Sequence, residues 1–275
     1  MTNPNIWNQF LIWPITNVLV GFYKLFEWLQ VPGPMGWAVV LLTIVIRIVL
    51  YPLMHTQLKS AKKMTDLKPH LDDINKKHKG DKQALQQAQL ALYKEHGVNP
   101  AAGCLPLLVQ MPVLIALYNV FYQVLNNGNL DKIVSDINQI LYIPALKLSN
   151  LDLNFFGIHL GVKPSEWQTH GWWLLSIPLI TAGLQWYQTR LMMAKSNPKS
   201  EALNPKQIQN SKQKNEEKKD EKKEVDQAGE MQKQMAMMTP IMFGFFAFQF
   251  PVGLALYWNI YGVFGIIQQM KVNKG

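Results

Sequence analysis

Residues 35–54 form a run of twenty in which Arg47 is the only strongly polar side chain. As a helix rising about 1.5 Å per residue, such a run covers roughly 30 Å, one bilayer hydrocarbon core. It constrains the chain more than any other feature, because an arginine at the centre of a span costs about 2.5–3.5 kcal/mol on insertion scales. Three further apolar segments follow. Residues 101–125 are interrupted by Pro106, Gln110, Pro112 and Asn119, and residues 171–193 carry Trp172 and Trp173 at their start, as an interfacial belt does. Residues 235–267 are too long for one span and have Pro251 at their middle. Proline disfavours helical geometry in the residue before it, so the spacing predicts two helices, 235–250 and 252–268, around Phe250-Pro251. Sixteen residues reach only about 24 Å. Either the bilayer thins locally, or the helices continue through Gln232–Gln234 and Gln268–Gln269.

Residues 1–34 lack a basic n-region and a small-residue cleavage site. Residues 15–30 mix apolar side chains with Asn17, Lys24, Glu27 and Gln30, which predicts a helix lying in the interface; a sixth span is the alternative. The net charge of +9 is distributed along the chain in alternation: one lysine in 1–34, nine in 57–100, three in 127–170 and ten in 194–233. Basic loops on one side imply five spans, with the N-terminus outside and the C-terminus in the cytoplasm. The charge then requires no nucleic acid.

Residues 57–100 predict a cytoplasmic helical hairpin. Leu58, Ala61, Leu67, Leu71 and Ile74 form one apolar stripe, and Leu85, Ala88 and Leu92 another. Asp81 is positioned as an N-cap, Gly97 and Pro100 end the second helix, and Pro69 predicts a kink or restart in the first. Residues 127–170 form an outer loop in which "LDKIVSDINQIL" is amphipathic and expected to lie on the membrane. Residues 194–234 are polar, of mixed charge, and expected to be a disordered cytoplasmic loop.

The chain has no Walker loop, no G-x-G-x-x-G and no H-E-x-x-H. Its six histidines have no ligand spacing, and its single cysteine, Cys104, excludes an internal disulfide. Catalysis, cofactor and metal are therefore not expected. No acid lies within a predicted span to pair with Arg47. Thr43 precedes it by one turn; Gln110 marks the second span, Gln185 and Gln188 the third, and Tyr257, Trp258 and Asn259 the fifth. Polar groups converging on one cation suggest a wet cavity within the bilayer. The alternative is that Arg47 snorkels to phosphate while the amides join helices.

Four stretches together resemble the YidC-type membrane protein insertases and their mitochondrial and chloroplast relatives: "IRIVLYPL", "KMTDLKPHLDDINKKH", "GVNPAAGCLPLLVQMPVLIALY" and "FPVGLALYWNIYGVFGIIQQ". "LDLNFFGIHL" is similar to the family's outer-loop motif. The resemblance implies an all-α polytopic membrane protein: an N-terminal interfacial helix (1–34), five transmembrane helices (35–56, 101–126, 171–193, 235–250, 251–268) around a hydrophilic groove, a cytoplasmic helical hairpin (57–100) and a short tail (269–275). Arg47 matches the groove arginine, and Thr43, Gln110 and Trp258 match groove-lining positions, to which Tyr257 is added as the neighbour on the fifth span. The chain departs from the pattern in lacking a large periplasmic domain and an N-terminal lipobox. Its short tail puts ribosome docking in doubt.

The implied function is a membrane insertase and chaperone of the bacterial plasma membrane. It would take nascent membrane proteins into a cytoplasm-open groove and release them to lipid, with no enzyme chemistry. The ribosome and a Sec-type translocon are left open as partners. Two rival readings are an anion or small-molecule transporter with Arg47 as the binding site, and a passive ribosome anchor using the lysine-rich loops.

Overall fold

The computed structural model describes residues 2–78, 80–98, 105–127, 130–193 and 227–274. The proposed disorder of 194–226, the termination at Pro100 and the surroundings of Cys104 lie outside these residues.

The chain is mostly helical. A π-helical turn, Asn8–Ile12, runs into α1, Trp13–Trp28, which buries Thr16, Leu19, Val20 and Tyr23 at helical spacing. The helix runs antiparallel beside α2 (Pro34–Val49). Phe26 meets Trp37 at the start of α2. Trp7 and Leu11 share an apolar cleft of about 600 Å³ with Val49 and Leu50 at its end. The apolar face of α1 is therefore spent on protein. Asn17 donates to the carbonyl of Ile140 and accepts from the amide of Tyr142, each within 2.9 Å, and so fixes the outer loop to α1.

Gly33, at φ +76°, and Pro34 open α2, a preorganised start with no N–H to leave orphaned. The expected continuous span 35–56 is interrupted. α2 ends at Val49, and α3 (Tyr51–Asp66) leaves at 64°. Pro52 supplies the cause, since it has no N–H to return to the preceding turn. α4 (Lys68–Lys77) restarts at Pro69, as expected. Asp81 caps α5 (Lys82–Glu95) by accepting from the amides of Gln83 and Ala84, each at 3.0 Å. At its end Val98 N–H reaches Tyr93 O at 2.8 Å and Gly97 N–H reaches Lys94 O at 3.1 Å, a Schellman closure with Gly97 at φ +61°.

α6 (Leu105–Asn127) passes through Pro112 without ending. α7 (Leu130–Gln139) is the amphipathic outer segment. Its apolar face, Ile133, Val134 and Ile137, is buried in the protein core and not left for lipid, with α6 packed against it. A two-residue turn at Phe156-Gly157, both at positive φ, joins β1 (Asn154–Phe155) to β2 (Ile158–His159), with Phe155 opposite Ile158. A short α8 (Trp167–His170) and a 3₁₀ turn (Trp172–Leu175) lead into α9, Ser176–Met193.

α10 (Gln227–Gln249) and α11 (Val252–Lys274) break at Phe250-Pro251, as expected, but both are longer than the sixteen residues of the sequence reading. Gln227 to Gln234, expected in the disordered loop, already belong to α10, and Gln268 and Gln269 continue α11. At about 1.5 Å per residue each of these helices is about 34 Å long. Among the described residues no single helix is both long and apolar enough to cross a membrane. The bent pair Pro34–Val49 with Tyr51–Met64 meets that measure together, and Gln110–Phe121 and Met237–Gln249 are shorter apolar helices.

α9 packs between α10 and α11. The apolar core gathers at one end of the bundle, from Leu19 and Tyr23, Met35 to Leu42, Val113 to Phe121, the outer loop and the first turns of α11. Facing outward are Leu179, Ile180 and Trp186 of α9 and Met237, Met238, Ile241 and Phe245 of α10, all exposed. So continuous an apolar surface marks a protein or membrane contact.

Candidate functional site

Arg47 sits in the last turn of α2, one residue class apart from everything around it, and is only 5% exposed. Its Nη1 donates to Gln268 Oε1 at 2.9 Å, and its Nη2 donates to the backbone carbonyl of Tyr261. The guanidinium carbon lies 3.4 Å above the Tyr261 ring. Hydrogen bonds to a charged group contribute about 1.5–3 kcal/mol each, and a desolvated cation–π contact up to about 2 kcal/mol. No carboxylate is involved; the ion pairs among the described residues are Lys24–Glu27 and Lys76–Asp73, elsewhere in the chain.

One face of α11 builds the receptor for this cation. Tyr257, Tyr261, Gly265 and Gln268 recur at spacings of four, four and three, one stripe of a helix. Gly265 has the decisive geometry. A Cβ there would stand 2.9 Å from Arg47 Nη2 and 2.7 Å from Gln188 Nε2, so any larger residue would push the ends of both side chains away from α11. At the apolar end of the stripe, Gln110 of α6 donates to the Tyr257 hydroxyl, and the Tyr257 and Tyr261 rings lie 5.9 Å apart. At the other end α3 closes over α11: Tyr261 Oη donates to Met54 Sδ at 3.8 Å, and Lys62 Nζ donates to the carbonyl of Val272 at 3.1 Å. The base of the hairpin is thus anchored to the bundle by its first turns.

Of the five residues singled out from the sequence, Arg47, Tyr257 and Gln110 share this row. Thr43 lies one turn above Arg47 on the same face, but its hydroxyl donates to Val39 O at 2.6 Å and is satisfied within α2. Trp258 turns to α10, among Phe243, Phe246 and Phe250 at 5.5–6.2 Å. Asn259 accepts from Thr181 at 2.9 Å and joins α11 to α9. Gln268 and Tyr261 are the partners the sequence reading missed. Their signal is present as the i, i+4, i+8, i+11 stripe that starts at Tyr257.

At the cation itself two buried polar atoms have no protein partner among the described residues, Arg47 Nε and Gln268 Nε2; Gln269 Oε1, on the next residue of α11, and both amide atoms of Gln57 on α3 are likewise unpartnered. Each would cost about 1–3 kcal/mol if kept dry. The arrangement can hold an anion or water; it carries no nucleophile–base pair, and no group of three metal-ligating side chains occurs among the described residues.

Fold and site together define a helical bundle that is apolar at one end and holds an uncompensated cation at the other. The family model described as 60Kd inner membrane protein matches residues 28–275, and the chain belongs to that family. The membrane protein insertase YidC of Wolinella succinogenes is 31% identical over 92% of this chain and 36% of its own length. That of Helicobacter pylori strain J99 is 29% identical over 94% and 37%. The one from Cupriavidus metallidurans is 30% identical over 88% and 33%. The chain therefore spans about a third of the length of these curated relatives. A crystal structure of an active YidC insertase with its first transmembrane domain resolved shares the fold, at a TM-score of 0.50 and 24% identity, over 96% of this chain and 46% of that one.

Proposed function

We propose that this chain is a membrane protein insertase of the plasma membrane. Helices α2, α6, α9, α10 and α11 span the bilayer, and the hairpin, residues 194–226 and the polar first turns of α10 lie in the cytoplasm. The observation that carries the reading is Arg47: a buried cation with neutral partners, whose Nε, like Nε2 of Gln268 beside it, has no protein partner among the described residues, in a bundle whose outer faces are apolar. A substrate tail entering beside α3 meets amides and water in place of lipid. Arg47 attracts its acidic residues, and an opposite charge at about 4 Å gains a few kcal/mol in partly wet surroundings. The substrate's apolar helix then partitions to lipid, with about 0.3–0.6 kcal/mol from each Leu or Ile. The proposed site residues are Arg47, Tyr257 and Gln110, with Thr43 and Trp258 shaping the walls. Nascent membrane proteins and lipid are the partners, and no covalent step is involved.

Reconstitution into liposomes with a short single-span substrate tests this. With an acidic tail, Arg47→Ala is expected to lower insertion at least tenfold at equal protein level, a loss of roughly 1.4 kcal/mol or more, and Arg47→Lys to retain much of it, because the charge remains while the planar fork is lost. Equal insertion by wild type and Arg47→Ala overturns the reading.

A further inference from the structure

The cation is already engaged, and its two acceptors differ in kind. The Tyr261 carbonyl belongs to the backbone of α11 and cannot leave. The Gln268 amide is the end of a flexible side chain, holds Arg47 through Oε1 alone at 2.9 Å, and has no protein partner for its Nε2 among the described residues. A side-chain amide has the shape of a carboxylate but no charge. It satisfies the guanidinium in the resting site without neutralising it, whereas a carboxylate brings an opposite charge and can accept from two N–H groups of the guanidinium at once.

We infer that Gln268 is a specificity-determining residue: its amide oxygen occupies the place of an acidic side chain of the incoming tail and is displaced by it. The inference rests on the insertase reading of Arg47. Three consequences follow from the chemistry. Neutral and hydroxyl-bearing tails cannot displace an amide with profit, so they gain nothing from Arg47. A single carboxylate suffices to displace it. Arg47 Nε, also without a protein partner among the described residues, is a further donor available once the tail has entered. A glutamate at 268 would instead give the cation a permanent internal partner.

The test compares two single-span substrates, one with a single aspartate in its tail and one with asparagine there, inserted by the full chain in liposomes. Protein level and monodispersity are measured alongside. Gln268→Glu is expected to lower insertion of the aspartate substrate roughly tenfold and to leave the asparagine substrate unchanged. Gln268→Met, which keeps the length and removes the amide acceptor, is expected to raise insertion of the aspartate substrate roughly threefold and to raise that of the asparagine substrate too, since neither then has an amide to displace. A parallel fall for both substrates in Gln268→Glu, or no rise for either in Gln268→Met, overturns the inference. If Gln268→Glu leaves the aspartate substrate untouched while Arg47→Ala abolishes its insertion, Gln268 is not the placeholder and the groove reading stands. If Arg47→Ala is also silent, both fail.

Discussion

The two ends of α11 are built on glycine for opposite purposes. At the first turn, a Cβ on Gly253 would lie 2.4–2.7 Å from three ring atoms of Phe121. The amides of Val252 and Gly253 are held by the carbonyls of Val162 and Leu160 at 2.9 and 2.8 Å, so the outer loop caps the helix. Gly36 of α2 is similar, with the ring of Phe155 pressed to 2.1 Å from where its Cβ would be. Just over three turns along α11, Gly265 meets only the ends of Arg47 and Gln188. An aromatic ring locked in a packed core cannot yield, whereas the ends of an arginine and a glutamine can. The closed end is therefore a matter of stability, and the polar end a matter of where a charge is placed.

The largest effect is expected at the closed end. Gly253→Ala forces Phe121 or the outer loop to move, and overpacking of this kind costs about 1–3 kcal/mol. The unfolding midpoint in a denaturing-detergent titration should fall by that amount, and Phe121→Leu in the same chain should restore part of it. An unchanged midpoint would show that Phe121 is free to shift and that this end is softer than its geometry implies.

Gly265→Ala sharpens the contrast. Its φ is ordinary for a helix, so alanine is tolerated by the backbone and removes the entropic penalty of glycine, about 0.5–1 kcal/mol. The midpoint should hold or rise slightly. Insertion of an acidic-tailed substrate should nevertheless drop toward the level of Arg47→Ala, because the new methyl group pushes the guanidinium off the Tyr261 carbonyl. A variant that is stable and inactive at 265, beside one that is unstable at 253, is the outcome that separates the two ends. Full activity in Gly265→Ala would mean that the close approach has no role in insertion.

The same division governs what could be read from the sequence. Arg47 was legible because a charge in an apolar run has no cheap explanation, and Phe250-Pro251, Pro69 and Asp81 were legible because each acts on its own backbone. Gln110 and Tyr257 could be placed near the cation, but Gln268 could not. A glutamine at the end of an apolar run reads as helix extension, and only the α11 stripe assigns it to Arg47. The bend at Leu50 was missed although Pro52 announces it, because the apolar run continues through it. The fate of the amphipathic faces of α1 and α7 was not legible. Such a face specifies that something apolar covers it, not whether lipid or protein does.

The smallest effect belongs to a group at the closed end that titrates. His159 lies on β2, and its Nδ1 accepts from the amide of Gly161 at 3.3 Å, which requires that nitrogen to be unprotonated. Partial burial lowers its pKa below the ordinary 6.5, and the neighbouring His170 adds to this; Asp152 acts in the opposite direction. The sign follows directly. Well above pH 6.5 the imidazole is neutral folded and unfolded and contributes no pH dependence. As pH falls through about 6.5, the unfolded chain takes up a proton that the folded loop resists, so stability is lost until the lowered folded pKa is passed. Leu160 and Val162, one and three residues beyond His159, supply the carbonyls that cap α11, so the loss should be felt at that cap. The amides of Val252 and Gly253 should exchange hydrogen faster at pH 5 than at pH 7, after correction for intrinsic rates, and His159→Gln should remove the difference. The Arg47 end has no histidine among the partners identified here and should show no such change over this range. If the pH dependence survives in His159→Gln, the loss arises elsewhere, and the closed end does not owe its pH sensitivity to this imidazole.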